Sequence, residues 1–307
     1  MSRDRYTARG RDRLERVLPS PLVVAVKRAR RVVRRQARVV RAHLALADIA
    51  RQLAGCSALE IGGPSELFLS RTGLPIYREL GSLDLLDYAE DTLWSAGQIP
   101  ELRSPARLIV GEAAELGGIA DGSYDVVLAS HVIEHIANPL GALAQWRRVL
   151  RPRGYVLLVV PHRDGTFDHR RAATTAEHLR SDAERATPED DLSHLEEILA
   201  LHDLGRDPDA PQDREAFEKR CRENFVHRGL HHHVFTTRTV AELCALAGLE
   251  VVALRALSPF HIFCLARIGE RPGAVGEQRV VARALRRSPF PSDRANRSAA
   301  AGTRSLR

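Results

Sequence analysis

Lysine is nearly missing from this chain: of 46 basic residues, all but Lys27 and Lys219 are arginines. The formal net charge is +7, but the excess sits in the two tails, and the middle of the chain is mixed or acidic. Aromatic residues make up 5%, which leaves few stacking platforms for single-stranded nucleic acid, so no nucleic-acid partner is expected. The four cysteines (Cys56, Cys221, Cys244, Cys264) are scattered without a CxxC pair. That argues against a thiolate zinc site and a disulfide framework, and points to buried free thiols. Long apolar runs are also lacking. Stretches such as Val156-Leu157-Leu158-Val159-Val160 have strand length, against the roughly 20 residues a membrane-spanning helix needs. The Arg-rich N-terminus has no hydrophobic stretch of the secretory kind, and a cytoplasmic location is expected.

What is present is a 44% apolar chain of 307 residues, enough for one large α/β domain with appendages. Residues 1–21 form a polar, Arg-rich segment. Over residues 22–54 the pattern turns helical: Leu22, Val26, Val33, Ala37, Val40 and Leu44 make one apolar stripe, and arginines occupy much of the remaining surface. Such a basic amphipathic helix either touches an anionic membrane peripherally through residues 22–53 or packs its stripe on the domain. Packing is the commoner use of such a stripe.

From Cys56 onward, strand-like runs at residues 58–61, 83–86, 107–110, 124–129 and 155–160 alternate with helix-like segments. Strands rich in Val, Ile and Leu joined by helices predict a doubly wound, mostly parallel sheet over residues 55–270. Residues 164–230 interrupt the alternation as a helical insertion over the active face. Its start signals are a capping box at Thr174-Thr175-Ala176-Glu177 and Thr187-Pro188. The alternation resumes with a helix from Thr237 and strands at 249–256 and 261–268. Residues 271–307, rich in Arg, Ser, Ala and Pro, read as a disordered basic tail.

Four motifs stand at expected strand ends. Glu60-Ile61-Gly62-Gly63-Pro64 couples an acid to a glycine turn, which lets a ligand approach the backbone closely. Asp87 closes the second strand, where a carboxylate can accept both hydroxyls of a ribose. Glu112 follows the third and can accept from an adenine amino group. The fourth motif runs from Gly122 through Tyr124-Asp125-Val126-Val127-Leu128-Ala129-Ser130-His131-Val132-Ile133-Glu134-His135, followed by Asn138-Pro139 and Trp146-Arg147-Arg148-Val149-Leu150.

In motif order, spacing and flanking strands, the run from Ala58 to Val160 resembles the class I S-adenosylmethionine-dependent methyltransferases, especially the type 11 group. The resemblance implies a seven-stranded, Rossmann-like methyltransferase sheet whose last strand is antiparallel, with the insertion ahead of the sixth strand. It also implies S-adenosylmethionine as cofactor, bound by Glu60, Gly62, Gly63, Asp87, Glu112, Ser130 and His131. The acceptor is expected to be a small molecule, a glycan or a lipid-linked compound, methylated by direct in-line transfer. The shortened Gly62-Gly63-Pro64 loop motivates the alternative, a catalytically inactive binding or regulatory module.

Proton removal from a hydroxyl acceptor calls for a histidine near neutral pH. His162, His169 and His232 are the catalytic candidates, since the first two follow the fifth strand and the third lies in His231-His232-His233 after the insertion. His131, Glu134 and His135 offer three metal-ligand types in one short segment. The reading adopted is that Glu134-His135 shape the turn, and no metal is expected.

Overall fold

The apolar runs form seven strands: β1 (Ser57–Ile61), β2 (Ser82–Asp87), β3 (Arg107–Val110), β4 (Tyr124–Ser130), β5 (Leu150–Pro161), β6 (Leu249–Leu257) and β7 (His261–Ile268). The structure, a computed structural model, describes residues 44–69, 73–89, 106–211, 213–269 and 275–294. The strands make one sheet in the order β3-β2-β1-β4-β5-β7-β6, with β7 antiparallel to both neighbours and the other pairs parallel. This is the doubly wound α/β arrangement expected from the strand pattern.

Side-chain alternation sends successive strand residues to opposite faces, and both faces of the central strands are buried, whereas edge strand β3 is largely exposed. Leu59, Ile61, Val127, Ala129, Val156 and Leu158 join one core with Leu143 and Trp146 of the helix Pro139–Val149 and Val240 and Leu243 of the helix Thr237–Leu246. Ala58, Leu83, Leu85, Val126, Leu128 and Leu157 join a second core with Leu46, Ile49 and Leu53. The last three lie on helix α1, whose described part covers residues 44–53. This part of the basic amphipathic segment therefore packs on the sheet, and Arg255 anchors it by pairing with Asp48 at 2.6 Å. Residues 22–43 lie outside the described residues. Among the described residues no helix is long and apolar enough to cross a membrane.

The remaining helices are α2 (Glu66–Leu69), α3 (Pro139–Val149), α4 (Ala176–Arg185), α5 (Leu195–Leu201), α6 (Arg214–Arg222), α7 (Asn224–His227), α8 (Thr237–Leu246) and α9 (Val275–Arg287). Helices α4 to α7 make up the insertion, and Leu195, Ile198, Phe217, Cys221 and Leu230 give it a small core of its own. Two expected starts shift. Thr175, not Thr174, caps α4 by accepting from His178 N. No helix begins at Thr187-Pro188; α5 starts at Leu195, because the Asp191 carboxylate accepts from Ser193 N and Oγ and holds a turn there.

The C-terminal expectation needs correcting as well. Residues 275–294 are ordered: α9 packs beside β6, burying Ala284 and Leu285, and Glu277 accepts from Val251 N at 3.1 Å. Behind α9, Phe290 stacks on His162 at 3.9 Å between ring centroids. The Val280-Val281 and Ala284-Leu285 pairs, four residues apart, form the stripe that the arginines between them obscure.

Candidate active site

Registry aligns the carboxyl ends of the central strands, pairing Ile61 with Leu86 and Asp87 with Val110. Strand order reverses between β1 and β4, and at such a switch point the outgoing loops diverge and leave a crevice. An open cleft of about 460 Å³ lies there. Gly62 forms its floor, with Asp87 and Tyr88 from the end of β2 and Glu112, Ala113 and Ala114 from the loop after β3. Val132, His135 and Ile136 close it from the β4 side, and Glu189 and Arg228 from the insertion.

The floor depends on glycine. Gly62 has φ +66°, and a Cβ there would come within 2.7 Å of Val132 Cγ2. A Cβ on Gly63 would meet the Glu60 carboxyl at 2.4 Å. Glu60 does not line the cleft. It is fully buried on the face of the second core, where its oxygens accept from Ser65 N (3.1 Å) and Tyr77 Oη (2.6 Å). It braces the loop from beneath. Burial pushes its carboxyl up to about 7 despite the two hydrogen bonds that favour the anion. A carboxyl whose folded-state pKa is raised contributes stability below its unfolded value, about 4.5, and loses that contribution as pH rises through 7. The wild-type chain is therefore expected to lose stability relative to Glu60→Gln between pH 5 and 8, by on the order of 1 kcal/mol per pH unit. Urea midpoints of both proteins across that range check this, and parallel profiles would refute it.

Asp87 stands at the rim, 8% exposed, and accepts from Tyr88 N at 2.8 Å. Trp146, fully buried, donates its Nε1–H to Ala113 O at 2.8 Å and fixes the loop after β3. Glu112 pairs with Arg228 at 2.9 Å, and Arg228 also reaches Glu189 at 3.1 Å. The Arg228 guanidinium lies over the rings of Tyr88 and Phe225. The insertion thus meets the β2–β3 side of the cleft through Arg228 and through Val226 O, which accepts from Tyr88 Oη at 3.4 Å, contacts that no local sequence signal announces.

Ser130 closes β4 and His131 follows it, and neither lines the cleft. Ser130 is buried, and its Oγ has no hydrogen-bond partner. His131, at φ +56° and partly exposed, sits between Glu134 Oε1 (3.4 Å from Nδ1) and His261 Nδ1 (3.1 Å from Nε2). Glu134 is fully buried. Burial pushes its carboxyl up, but His131, His135 and His231 together outweigh that and hold it below the usual range, as a carboxylate. His261 is pushed down to about 3 by burial and by His131, so its ring is neutral.

Behind this group lies a buried ionic cluster. Asp168 accepts from His231 Nδ1 and from Arg171 Nη1, and Arg171 also donates to His231 O. His135 Nδ1 donates to Leu230 O at 3.0 Å. One potential ligand atom each from Glu134, His135 and His231 lies within 4.8 Å of the others.

The three histidines expected to serve catalysis lie away from the cleft. His162 is fully buried under Phe290, with Asp293 3.4 Å from its Nε2, because the C-terminal segment covers it. His169 pairs with Asp203 at 2.9 Å on the outer side of the insertion. His232 is buried beside Asn224, and burial pushes it down to about 3. His131 and His261 meet across 130 residues of sequence, and that separation hid the pair.

Residues fit an adenosyl ligand in this cleft: open backbone at Gly62, a carboxylate at the end of β2, and apolar walls from Ala113, Ala114, Val132 and Ile136. Solved structures of similar outline include an S-adenosylmethionine-dependent methyltransferase from Aquifex aeolicus, at 12% identity over 74% of this chain and 93% of that one, TM-score 0.42. Another is the 1,6-didemethyltoxoflavin-N1-methyltransferase of Burkholderia thailandensis, at 16% identity over 82% and 91%, TM-score 0.40. Neither carries a residue's role over to this chain. A relative, an uncharacterized 37.1 kDa protein in transposon Tn4556 of Streptomyces fradiae, is 32% identical over 119 residues, 38% of this chain. The match spans 33% of that relative's length. Residues 34–254, most of the chain, match the methyltransferase-domain family. The chain belongs to that family, and is a class I S-adenosylmethionine-dependent methyltransferase.

Proposed function

We propose that this methyltransferase acts on a hydroxyl group of a small molecule, with His131 as the group that takes the hydroxyl proton. The supporting observation is the Glu134–His131–His261 row at the end of β4: a carboxylate and a neutral imidazole hold a partly exposed imidazole between them. S-adenosylmethionine supplies an activated methyl group on a sulfonium leaving group. Asp87 and Gly62 hold the adenosyl part, and the insertion restricts water around the acceptor. The acceptor oxygen would receive the methyl group that the bound cofactor supplies, with the neutral thioether as leaving group. Its proton passes to His131 Nε2, where His261 is displaced, and Glu134 stabilises the imidazolium. Glycan and lipid-linked acceptors offer the same nucleophile and belong in the same assay.

The test is transfer of labelled methyl to a panel of hydroxylated compounds, with cofactor affinity measured by calorimetry. His131→Asn is expected to lower turnover by about 100-fold or more while leaving cofactor affinity unchanged. Equal turnover removes His131 from the mechanism. Absence of cofactor binding in the wild-type chain would favour the inactive binding module instead.

A further inference from the structure

We propose that the insertion carries a zinc-class divalent metal site, with His178, Asp182 and His233 as ligands and the fourth position open to His194. The site lies apart from the cleft and from the Glu134–His131–His261 row.

Helix α4 places His178 and Asp182 one turn apart on the same face. His178 Nε2 lies 3.1 Å from Asp182 Oδ2 and 3.2 Å from His194 Nε2. His233 Nε2 lies 3.9 Å from the same Asp182 oxygen. Metal–ligand bonds of about 2.0–2.2 Å in a tetrahedron put neighbouring donor atoms roughly 3.3–3.5 Å apart. Two of these edges are thus already close to ligand spacing, and the third needs about half an ångström. His233 Nε2 is also 3.3 Å from Ala137 O, a contact that metal binding replaces, so His233 is the ligand that moves.

The independent observation is Asp182 itself. Its side chain is 3% exposed, and Oδ2 is buried and makes no hydrogen bond of good geometry, although the His178 and His233 nitrogens lie 3.1 and 3.9 Å away. Oδ1 is engaged by Arg185 at 2.9 Å and by Thr187 at 3.2 Å. These bonds fix the carboxylate so that Oδ2 faces the His178 and His233 imidazoles, the orienting role that outer partners play around a metal. Histidine nitrogens with one carboxylate oxygen suit zinc and its neighbours, whereas calcium and magnesium take oxygen shells. His178 is one-third exposed and marks the entry path. His194, whose Nε2 lies 3.2 Å from that of His178, itself groups with Asp191 and His232. The four residues come from α4, from the turn before α5 and from the strip after the insertion. His233 N in turn donates to Glu134 O at 3.2 Å. A bound metal would tie the insertion to the loop after β4.

The experiment uses the full chain without a histidine tag, stripped with chelator and titrated with Co(II) and then Zn(II). Expected is one tight equivalent of Co(II) with the visible band of tetrahedral coordination, displaced by Zn(II), together with a rise in melting temperature. His178→Gln and Asp182→Asn are each expected to weaken binding by about 100-fold or more. His178 is a surface position, so its variant keeps the fold; if Asp182→Asn does not fold, His194→Gln takes its place. The proposal is overturned if no tetrahedral band forms, if His178→Gln binds as the wild type does, or if binding is lost in Glu134→Gln and retained in His178→Gln.

Discussion

Replacing Asp168 with asparagine is expected to lower the unfolding free energy by about 3–5 kcal/mol, the usual effect of removing one partner from a buried ion pair. Asp168 and Arg171 are 2% and 1% exposed, and the Asp168 carboxylate is the centre of the cluster. It accepts from Arg171 at 3.0 Å on one oxygen and from His231 on the other. Without it the Arg171 guanidinium keeps Glu197, a half-exposed partner at 3.3 Å, and an interior charge is left largely uncompensated. Burial would push Asp168 up, but His231 and Arg171 outweigh it and take it down to about 2. Burial would push His231 down, but Asp168 and Glu134 outweigh that and raise it above its ordinary 6.5.

The signs of these two shifts define a pH window. A depressed carboxyl contributes stability above its unfolded value, about 3.8, and loses it as pH falls toward 2. A raised histidine contributes fully below 6.5 and loses its contribution as pH rises through its folded value. The pair therefore stabilises most between about pH 4 and 6.5, and the gap between wild type and Asp168→Asn should be widest there. Urea unfolding at pH 5 and pH 8 measures both points. A loss below about 1 kcal/mol with no change of pH profile would mean that Asp168 is not the hub of this cluster.

The sheet was legible because its strands are short apolar runs buried on both faces, a pattern that hardly depends on what they pack against. The same local logic brought Gly62, Asp87 and Glu112 to one crevice, since each directly follows or closes a strand. It misplaced Glu60 by one face. Alternation puts Ile61 over the cleft and turns Glu60 toward Tyr77 and the second core, where it braces the loop. What stayed hidden are contacts between residues far apart in sequence. Asp168 meets His231 63 residues on, Glu112 meets Arg228 116 residues on, and His131 meets His261 130 residues on. No periodicity encodes such partners. The C-terminal helix was missed for another reason: Arg279, Arg283, Arg286 and Arg287 interrupt a narrow apolar stripe.

Removing the carboxylate of Asp87 is expected to weaken S-adenosylmethionine binding by about 100-fold, the largest effect of any single side chain on the cleft. An acid closing the second strand can accept from both ribose hydroxyls, and a hydrogen bond to a charged group contributes about 1.5–3 kcal/mol. Two such bonds, less the hydration that the exposed rim regains, leave close to 3 kcal/mol, or about two decades in Kd. Asp87→Asn keeps one acceptor oxygen, and its affinity should fall between those of Asp87→Ala and the wild type. The fold should tolerate both changes. The backbone bond from Tyr88 N, at 2.8 Å, lies at the rim, where water can replace it. Calorimetry with S-adenosylmethionine, alongside urea unfolding of each variant, separates lost affinity from lost structure. If Asp87→Ala binds within about threefold of the wild type, the adenosyl group does not sit against the end of β2. The geometry that leads from Gly62 to His131 would then have to be redrawn.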